Sequence, residues 1–196
     1  MSIVTLVSGG LDSTLMAVLA RDTGVVQYPL FIDYGQRALR KELATCRRSM
    51  KRFDVPKPKV ASLGGFGLLV KSGLTDPSLP IMEAAFTPCR NLLFLLTGAA
   101  YGYTVGAEGI AIGLLHESSS LFPDQTSHFL KSAEAVLGEC LGRSIRVLAP
   151  LSEFTKRDVV RLAEEKGISG TYSCHAGTSP PCGVCISCKE FQFKEN

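Results

Sequence analysis

No stretch of this 196-residue sequence stays apolar long enough to cross a membrane as a helix. Its most apolar uncharged run, Leu92 to Ala107, is interrupted by Gly98, Tyr101, Gly102, Tyr103 and Gly106 and falls short of the roughly 18 apolar residues a span requires. Met1-Ser2-Ile3-Val4 has no basic residue ahead of its apolar ones, so no secretory leader is expected. Strong charge of either sign is also missing: 21 Lys and Arg stand against 18 Asp and Glu, a net charge of +3. A dedicated nucleic-acid coat usually has a pI above about 9, against about 8.5 here, so a nucleic-acid partner is not expected. Neither the Walker string G-x-x-x-x-G-K-S/T nor G-x-G-x-x-G occurs, and there is no internal repeat or low-complexity tract. Apolar residues make up 45% of the chain, which excludes wholesale disorder.

Cysteine, by contrast, is plentiful. There are seven, in a chain long enough to bury roughly 70% of its unfolded surface without staples. An odd count, unevenly spread, argues against a secreted disulfide framework and for a soluble protein of a reducing compartment, the cytoplasm. Cys46 and Cys140 lie in apolar stretches and are expected in the core. Cys174, Cys182, Cys185 and Cys188 crowd into fifteen residues.

Strand-length apolar runs alternate with helix-period segments. Strands are expected at Ile3–Val7, Val25–Ile32 (weakened by Pro29), Lys59–Ser62, Gly109–Leu114 and Ile145–Leu148. Helices are expected at Leu11–Asp22, Arg37–Phe53, Asn91–Tyr103, Ser127–Leu141 and Thr155–Lys166. Thr155 and Asp158 have capping-box spacing. On the second helix, Leu39, Leu43, Cys46, Met50 and Phe53 share a face opposite Arg37, Arg40, Lys41, Arg47, Arg48, Lys51 and Arg52. Such charged faces are usually solvated, and an RNA-binding role for this one is the lesser expectation. Leu63 to Pro88 reads as one long Gly/Pro-rich connection, a functional or mobile loop. The alternation predicts an α/β fold, a five-stranded parallel sheet with helices on both faces.

Ser8-Gly9-Gly10-Leu11-Asp12-Ser13-Thr14 falls where the first strand meets the first helix, the ligand crevice of a parallel sheet. Two glycines admit a bulky anion to the backbone, the helix N-terminus favours its negative charge, and three hydroxyls add donors. Asp12 makes sense there if Mg²⁺ accompanies a phosphate. The bland alternative is a tight turn with Asp12 or Ser13 as cap. No lysine follows the glycines, which argues against an ordinary γ-phosphate-transferring NTPase. In the tail, two adjacent C-x-x-C steps and Cys174 suit a four-thiol zinc knuckle. A redox pair or an iron–sulfur site are the alternatives, and His175 is read as a bystander.

The glycine string resembles the pyrophosphate loop, S-G-G-x-D-S-S/T, of ATP pyrophosphatases. With the four-Cys tail, the chain resembles the QueC/ExsB family, whose members are 7-cyano-7-deazaguanine synthases. The resemblance runs through Phe31-Ile32-Asp33-Tyr34-Gly35-Gln36-Arg37 with Lys41-Glu42-Leu43 (family F-D-Y-G-Q-R and K-E-L), and Pro88-Cys89-Arg90-Asn91 (P-G-R-N). It continues at Ile110-Ala111-Ile112-Gly113, Pro150-Leu151 with Thr155-Lys156, and Ser173-Cys174.

The resemblance implies an adenine nucleotide alpha hydrolase-like, Rossmann-like fold. Residues 1–167 would form an ATP pyrophosphatase domain and 168–196 its zinc-binding segment. It also implies an ATP-dependent carbon–nitrogen ligase that takes 7-carboxy-7-deazaguanine and ammonia to the nitrile through adenylated intermediates, working as a homodimer. Ser8, Gly9, Gly10, Leu11, Asp12, Ser13 and Thr14 would hold pyrophosphate and Mg²⁺. Tyr34, Gln36 and Gly113 would contact nucleotide. Asp12, Ser13, Arg37 and Arg90 would act in catalysis, and Arg90, Asn91, Phe122 and Asp124 would meet the substrate. Zn²⁺ would sit on Cys174, Cys182, Cys185 and Cys188.

The family pattern G-V-N, then D-Y-S-G-Y-P-D-C-R-P-E-F, reads here Gly113-Leu114-Leu115-His116-Glu117 through Phe129, keeping only Phe122-Pro123-Asp124 of Y-P-D. The adenylating half is intact and the substrate half rewritten. An enzyme that transfers a deazaguanine to another acceptor, such as a protein amine, is therefore the alternative. A tRNA-thiolating pyrophosphatase and a non-enzymatic nucleotide sensor stand behind it.

Overall fold

Five parallel strands form one sheet: β1 (Ser2–Leu6), β2 (Val26–Asp33), β3 (Lys59–Ser62), β4 (Gly109–Ala111) and β5 (Arg146–Leu148), in the order β3-β2-β1-β4-β5. The structure, a computed structural model, describes residues 1–191. Its helices are α1 (Leu11–Asp22), α2 (Leu39–Arg52), α3 (Gly64–Leu69), α4 (Arg90–Val105), α5 (Ser127–Leu141), α6 (Lys156–Glu165) and α7 (Ile186–Lys189). The expected sheet and its helical cover are both present. No helix among the described residues is long and apolar enough to cross a membrane.

Alternation along the strands sends side chains to two separate cores. Ile3, Val7, Phe31 and Ala111 pack with Leu15 of α1, Met50 of α2 and Val159 of α6. Val4, Leu6, Leu30, Ile32 and Ile110 face the other way, onto Leu95 of α4 and Leu137 of α5. Each such side chain, fully buried, contributes about 1.5–3 kcal/mol.

Pro29 does not break β2. Val7 N donates to Leu30 O, so Leu30 faces β1 and Pro29 faces β3. Pairing with β3 begins only at Leu30, opposite Lys59. The missing amide therefore falls where no partner strand runs.

Three expectations need correcting. Residues 63–88 are not one structureless connection: α3 lies within them, and the Ser72 and Thr87 hydroxyls pair at 2.7 Å in the interior. Cys140 is exposed on α5, whereas Cys46 is buried. The basic face of α2 is not simply solvated either. Arg48 donates to the Gly170 carbonyl, Arg52 to the carbonyls of Ser169 and Gly167, and Lys41 to the Ser179 hydroxyl. The face is a dock for residues 167–179. The helix itself begins at Leu39, later than expected, because Tyr34–Ala38 form a turn pinned by Gln36. The Thr155–Asp158 capping box is present at the start of α6.

β1 leads by its connections to β2 and β3 on one side, while β4 and β5 lie on the other. The chain thus diverges between β1 and β4, which places the ligand crevice at their carboxyl ends.

Candidate active site

A cavity of about 280 Å³ opens at that crevice, near the lower end of the roughly 300–1,000 Å³ of small-molecule sites. Its floor is the loop after β1. Gly9 takes φ +88°, and a Cβ there would lie 2.6 Å from the Glu42 carbonyl oxygen, so only glycine lets the loop pack on α2. Gly10 caps α1 with extended backbone and no side-chain bond. Ser13 does not cap the helix but turns back, accepting from the Ser8 amide at 3.1 Å and lying 3.0 Å from the Ser8 hydroxyl. Thr14 is buried and donates to the Gly10 carbonyl at 2.8 Å. Ser8, Gly10, Leu11, Asp12 and Ser13 line the cavity, whereas Gly9 and Thr14 brace it from behind. Across from them, a Cβ on Gly113 would stand 3.4 Å from the Ser13 amide, so the bare backbone after β4 keeps the crevice open.

Lys156, the first residue of α6, reaches over this floor. Its Nζ donates to both Asp12 carboxylate oxygens at 2.8 and 2.9 Å and lies 3.2 Å from Glu190. The lysine side chain is only 11% exposed, so its charge is held inside the site. Asp12, Lys156 and Glu190 form one paired ionic wall, two carboxylates on a single ammonium.

The opposite wall is built from the end of β2, the first turn of α2 and the start of α4. Gln36 accepts from the Tyr34 amide and donates to the Ile32 carbonyl and to Glu42 Oε2, at 3.0 Å for the last. Burial pushes the Glu42 carboxyl up to about 7 and the Tyr34 phenol up to about 12, in each case against the opposing charge of Arg90. The Arg90 guanidinium lies 5.9 Å from the centre of the Phe94 ring, and its buried Nε has no hydrogen-bond partner among the described residues. Cys89, ahead of Arg90, sits at φ 61°. That left-handed conformation is strained for any side chain but glycine's, the residue in the P-G-R-N string.

Not every anticipated residue reaches the cavity. Arg37 donates to the Gly73 carbonyl at 3.0 Å and does not line it. Asp124 stands outside the lining too: its carboxylate accepts from the Asn91 amide at 3.2 Å, and its carbonyl from Asn91 Nδ2 at 2.8 Å. It therefore serves the N-terminus of α4, an orphan-donor position, and is not presented to a ligand. Phe122 does line the cavity, its ring 5.1 Å from that of Phe86.

The tail closes the site. Tyr172 N donates to the Gly9 carbonyl at 3.0 Å, and Ser173, His175 and Ser187 join the lining. His175 Nε2 lies 3.0 Å from the Ser187 hydroxyl, and burial holds its ring down at about 4. Beneath them, the sulfurs of Cys174, Cys182, Cys185 and Cys188 lie within 4.8 Å of one another, and no disulfide joins them. A tetrahedral ion with metal–sulfur bonds of about 2.3 Å spaces its sulfurs by about 3.8 Å, close to the 4.0 Å between Cys182 and Cys188. The amides of Cys182 and Cys185 donate to the sulfurs of Cys174 and Cys182. Burial would raise the Cys174 thiol, but the amides of Cys182 and Ala176 outweigh it and bring it down to about 6. The donor set fits a soft metal ion.

Reading the sequence alone overlooked Glu42, Lys156, Tyr172, Ser173 and Glu190 as site residues. Glu42, Lys156 and Ser173 carried a signal, within the K-E-L, T-K and S-C strings, whereas Tyr172 and Glu190 carried none.

Solved structures share this architecture and define its class by fold alone, a parallel α/β sheet layered between helices. The U34-tRNA thiolase NcsA from Methanococcus maripaludis matches with a TM-score of 0.61 at 16% identity, over 96% of this chain and 63% of that one. NMN synthetase from Francisella tularensis matches with a TM-score of 0.58 at 14% identity, over 96% and 71%. Within that class the chain belongs to the QueC family: the family described as queuosine biosynthesis protein QueC matches residues 2–193. Among its relatives, the 7-cyano-7-deazaguanine synthase of Acetivibrio thermocellus is 33% identical over 94% of this chain and 88% of that protein. The enzyme of the same name from Nitrosococcus oceani is 36% identical over 95% and 89%.

Proposed function

We propose that this protein is an ATP-dependent ligase that converts 7-carboxy-7-deazaguanine and ammonia to 7-cyano-7-deazaguanine. What carries the reading is the loop Ser8–Thr14 at the floor of the cavity, in a chain of the QueC family. A substrate carboxylate oxygen attacks the α-phosphorus of ATP and pyrophosphate leaves. The loop amides and the Ser8 and Ser13 hydroxyls hold the leaving group, and the Lys156 ammonium offsets charge that develops on it. Arg90, which lines the cavity and whose buried Nε has no hydrogen-bond partner among the described residues, binds the other side of the transferred group. Asp12 would hold Mg²⁺, which supplies further neutralisation of the phosphates when bound. Tyr34 and Gln36 shape the nucleotide side, and Phe122 offers a stacking surface for the deazaguanine ring.

The four tail cysteines would hold Zn²⁺ as a structural staple, keeping Tyr172 and Ser173 against the loop. Leu92, Leu96 and Tyr103 are exposed along α4 and would pair two copies into a homodimer in the cytoplasm.

Mass spectrometry of the product from ATP, ammonium chloride and 7-carboxy-7-deazaguanine tests the reading. A nitrile is expected. Adenylate or amide without nitrile would replace it with transfer to another acceptor.

A further inference from the structure

On the function proposed above, one nitrogen atom enters as ammonium and stays bonded to one carbon to the end, losing four protons on the way. A proton acceptor beside that atom is therefore needed at every stage. Of the carboxylates lining the cavity, Asp12 and Glu190 are held by Lys156. Glu42 forms no ion pair among the described residues. Gln36 donates to its Oε2, and its Oε1 makes no hydrogen bond among the described residues.

The position of Glu42 is as telling as its isolation. Its backbone packs directly on Gly9 of the phosphate-binding loop. An anion there, without a cation of its own, opposes a polyphosphate and a carboxylate substrate alike. A small cation would resolve the conflict. With Oε2 committed, the remaining oxygen suits a single compact N–H donor better than the paired N–H edge of a base. We infer that Glu42 forms the ammonium subsite and accepts protons from the nitrogen donor.

The steps balance. Ammonium gives a proton to Glu42, and the freed lone pair forms the C–N bond as the C–O bond to AMP breaks. A second proton then leaves nitrogen to give the amide. In the second round the amide oxygen bonds to the α-phosphorus as pyrophosphate leaves, with loss of the third proton. The C–O bond then breaks as the fourth leaves, giving the nitrile and AMP. Glu42 returns each proton to solvent between steps.

The groups that face Glu42 electrostatically are Arg90 of α4, Tyr34 before α2, Cys46 one turn along α2, and Tyr172 and Cys174 of the tail. Only Arg90 among them is a cation, and it lies beyond ion-pair distance. The upward push that burial gives the Glu42 carboxyl suits an acceptor that must also release its proton near neutrality.

The inference rests on the proposed function, and two assays separate them. The first is exchange of labelled pyrophosphate into ATP, driven by 7-carboxy-7-deazaguanine without ammonia. The second is amide and nitrile formation as ammonium chloride is raised. Glu42→Gln should keep the exchange but lose about 10²-fold in ammonium-dependent amide formation, with Glu42→Asp in between. Supplying the amide directly should expose the same defect in nitrile formation. An unchanged ammonium dependence, or loss of exchange in a variant that melts like the parent, overturns the inference. If Glu42→Gln does not fold, Glu42→Asp carries the comparison. A wild-type protein without exchange overturns the proposed function, and the inference with it.

Discussion

The two walls of the cavity handle charge in opposite ways. On the α1–α6 side, Asp12, Lys156 and Glu190 form a closed ionic group. On the β2–α4 side, Glu42 and Arg90 face the same space without pairing, and Tyr34 stands between them as a raised phenol. A paired wall can exchange partners as a polyanion arrives. In the unpaired wall Gln36 holds Glu42 through Oε2, and Arg90 stands at the first position of α4. Leaving such groups unpaired is destabilising, and functional sites are where proteins retain that arrangement.

Breaking the paired wall should have the largest effect. Asp12→Ala frees Lys156 from one of its two carboxylates and removes the carboxylate proposed above to hold Mg²⁺. Pyrophosphate release should fall by about 10²–10³-fold or more, with the circular dichroism spectrum unchanged. Turnover near the wild-type rate would remove Asp12 from the chemistry.

The tail touches both walls, so stripping the zinc proposed for its four cysteines should blur the difference between them. Chelation, or Cys185→Ser, should lower the thermal midpoint and weaken ATP binding together, because Tyr172 is then no longer held on Gly9. Metal analysis should find near one zinc per chain. A folded, metal-free protein with intact ATP affinity would break this link.

Next comes the unpaired wall. The folded-state pKa of Glu42 lies above its unfolded value, about 7 against 4.5. Between those values the folded state holds the extra proton, so stability from this group is fully present below pH 4.5 and lost as pH rises through 7. Glu42→Gln cannot lose it. Relative to wild type, the variant should gain on the order of 2–3 kcal/mol between pH 4.5 and 8, read as diverging denaturation midpoints. Parallel curves would mean Glu42 is compensated after all.

The smallest effect concerns the seat of Arg90. Cys89 holds a left-handed backbone at φ 61°, and Cys89→Gly would relieve about 1–2 kcal/mol of strain while adding about 0.5–1 kcal/mol of unfolded-state entropy. A net gain of about 0.5–1 kcal/mol should raise the thermal midpoint by about 1–4 °C. A loss would show that the thiol makes a contact of value on the surface.

Much of this could be read in the sequence, and the parts that could not have physical reasons. Strands declared themselves as short apolar runs, and the glycine pair announced a backbone that must approach something closely. α3 escaped notice because Gly64-Gly65-Phe66-Gly67 is a poor helix former held by tertiary packing. Asp124 looked like a ligand for a base because its destination, the Asn91 amide in the first turn of α4, lies 33 residues away. Arg37, ahead of α2, and Arg48 and Arg52 on it looked solvated for the same reason. Their acceptors are carbonyls of Gly73 and of residues 167–170, and a carbonyl carries no signature in a sequence. Lys156 sat in a recognisable string, but its pairing with Asp12 spans 144 positions and emerges only when α6 packs beside α1.

That span bears on how the protein comes to work at all. The contacts that complete the cavity floor join its loop to α6 and to the tail, so they close only after most of the intervening chain is in place. Loop-closure entropy makes such contacts the late ones in folding. A chain with its sheet formed but its tail undocked would have a glycine loop open to solvent, with nothing over it to organise a reaction. Idle hydrolysis of ATP by half-assembled molecules is thereby discouraged. On gentle heating, activity should vanish while most of the helical signal persists.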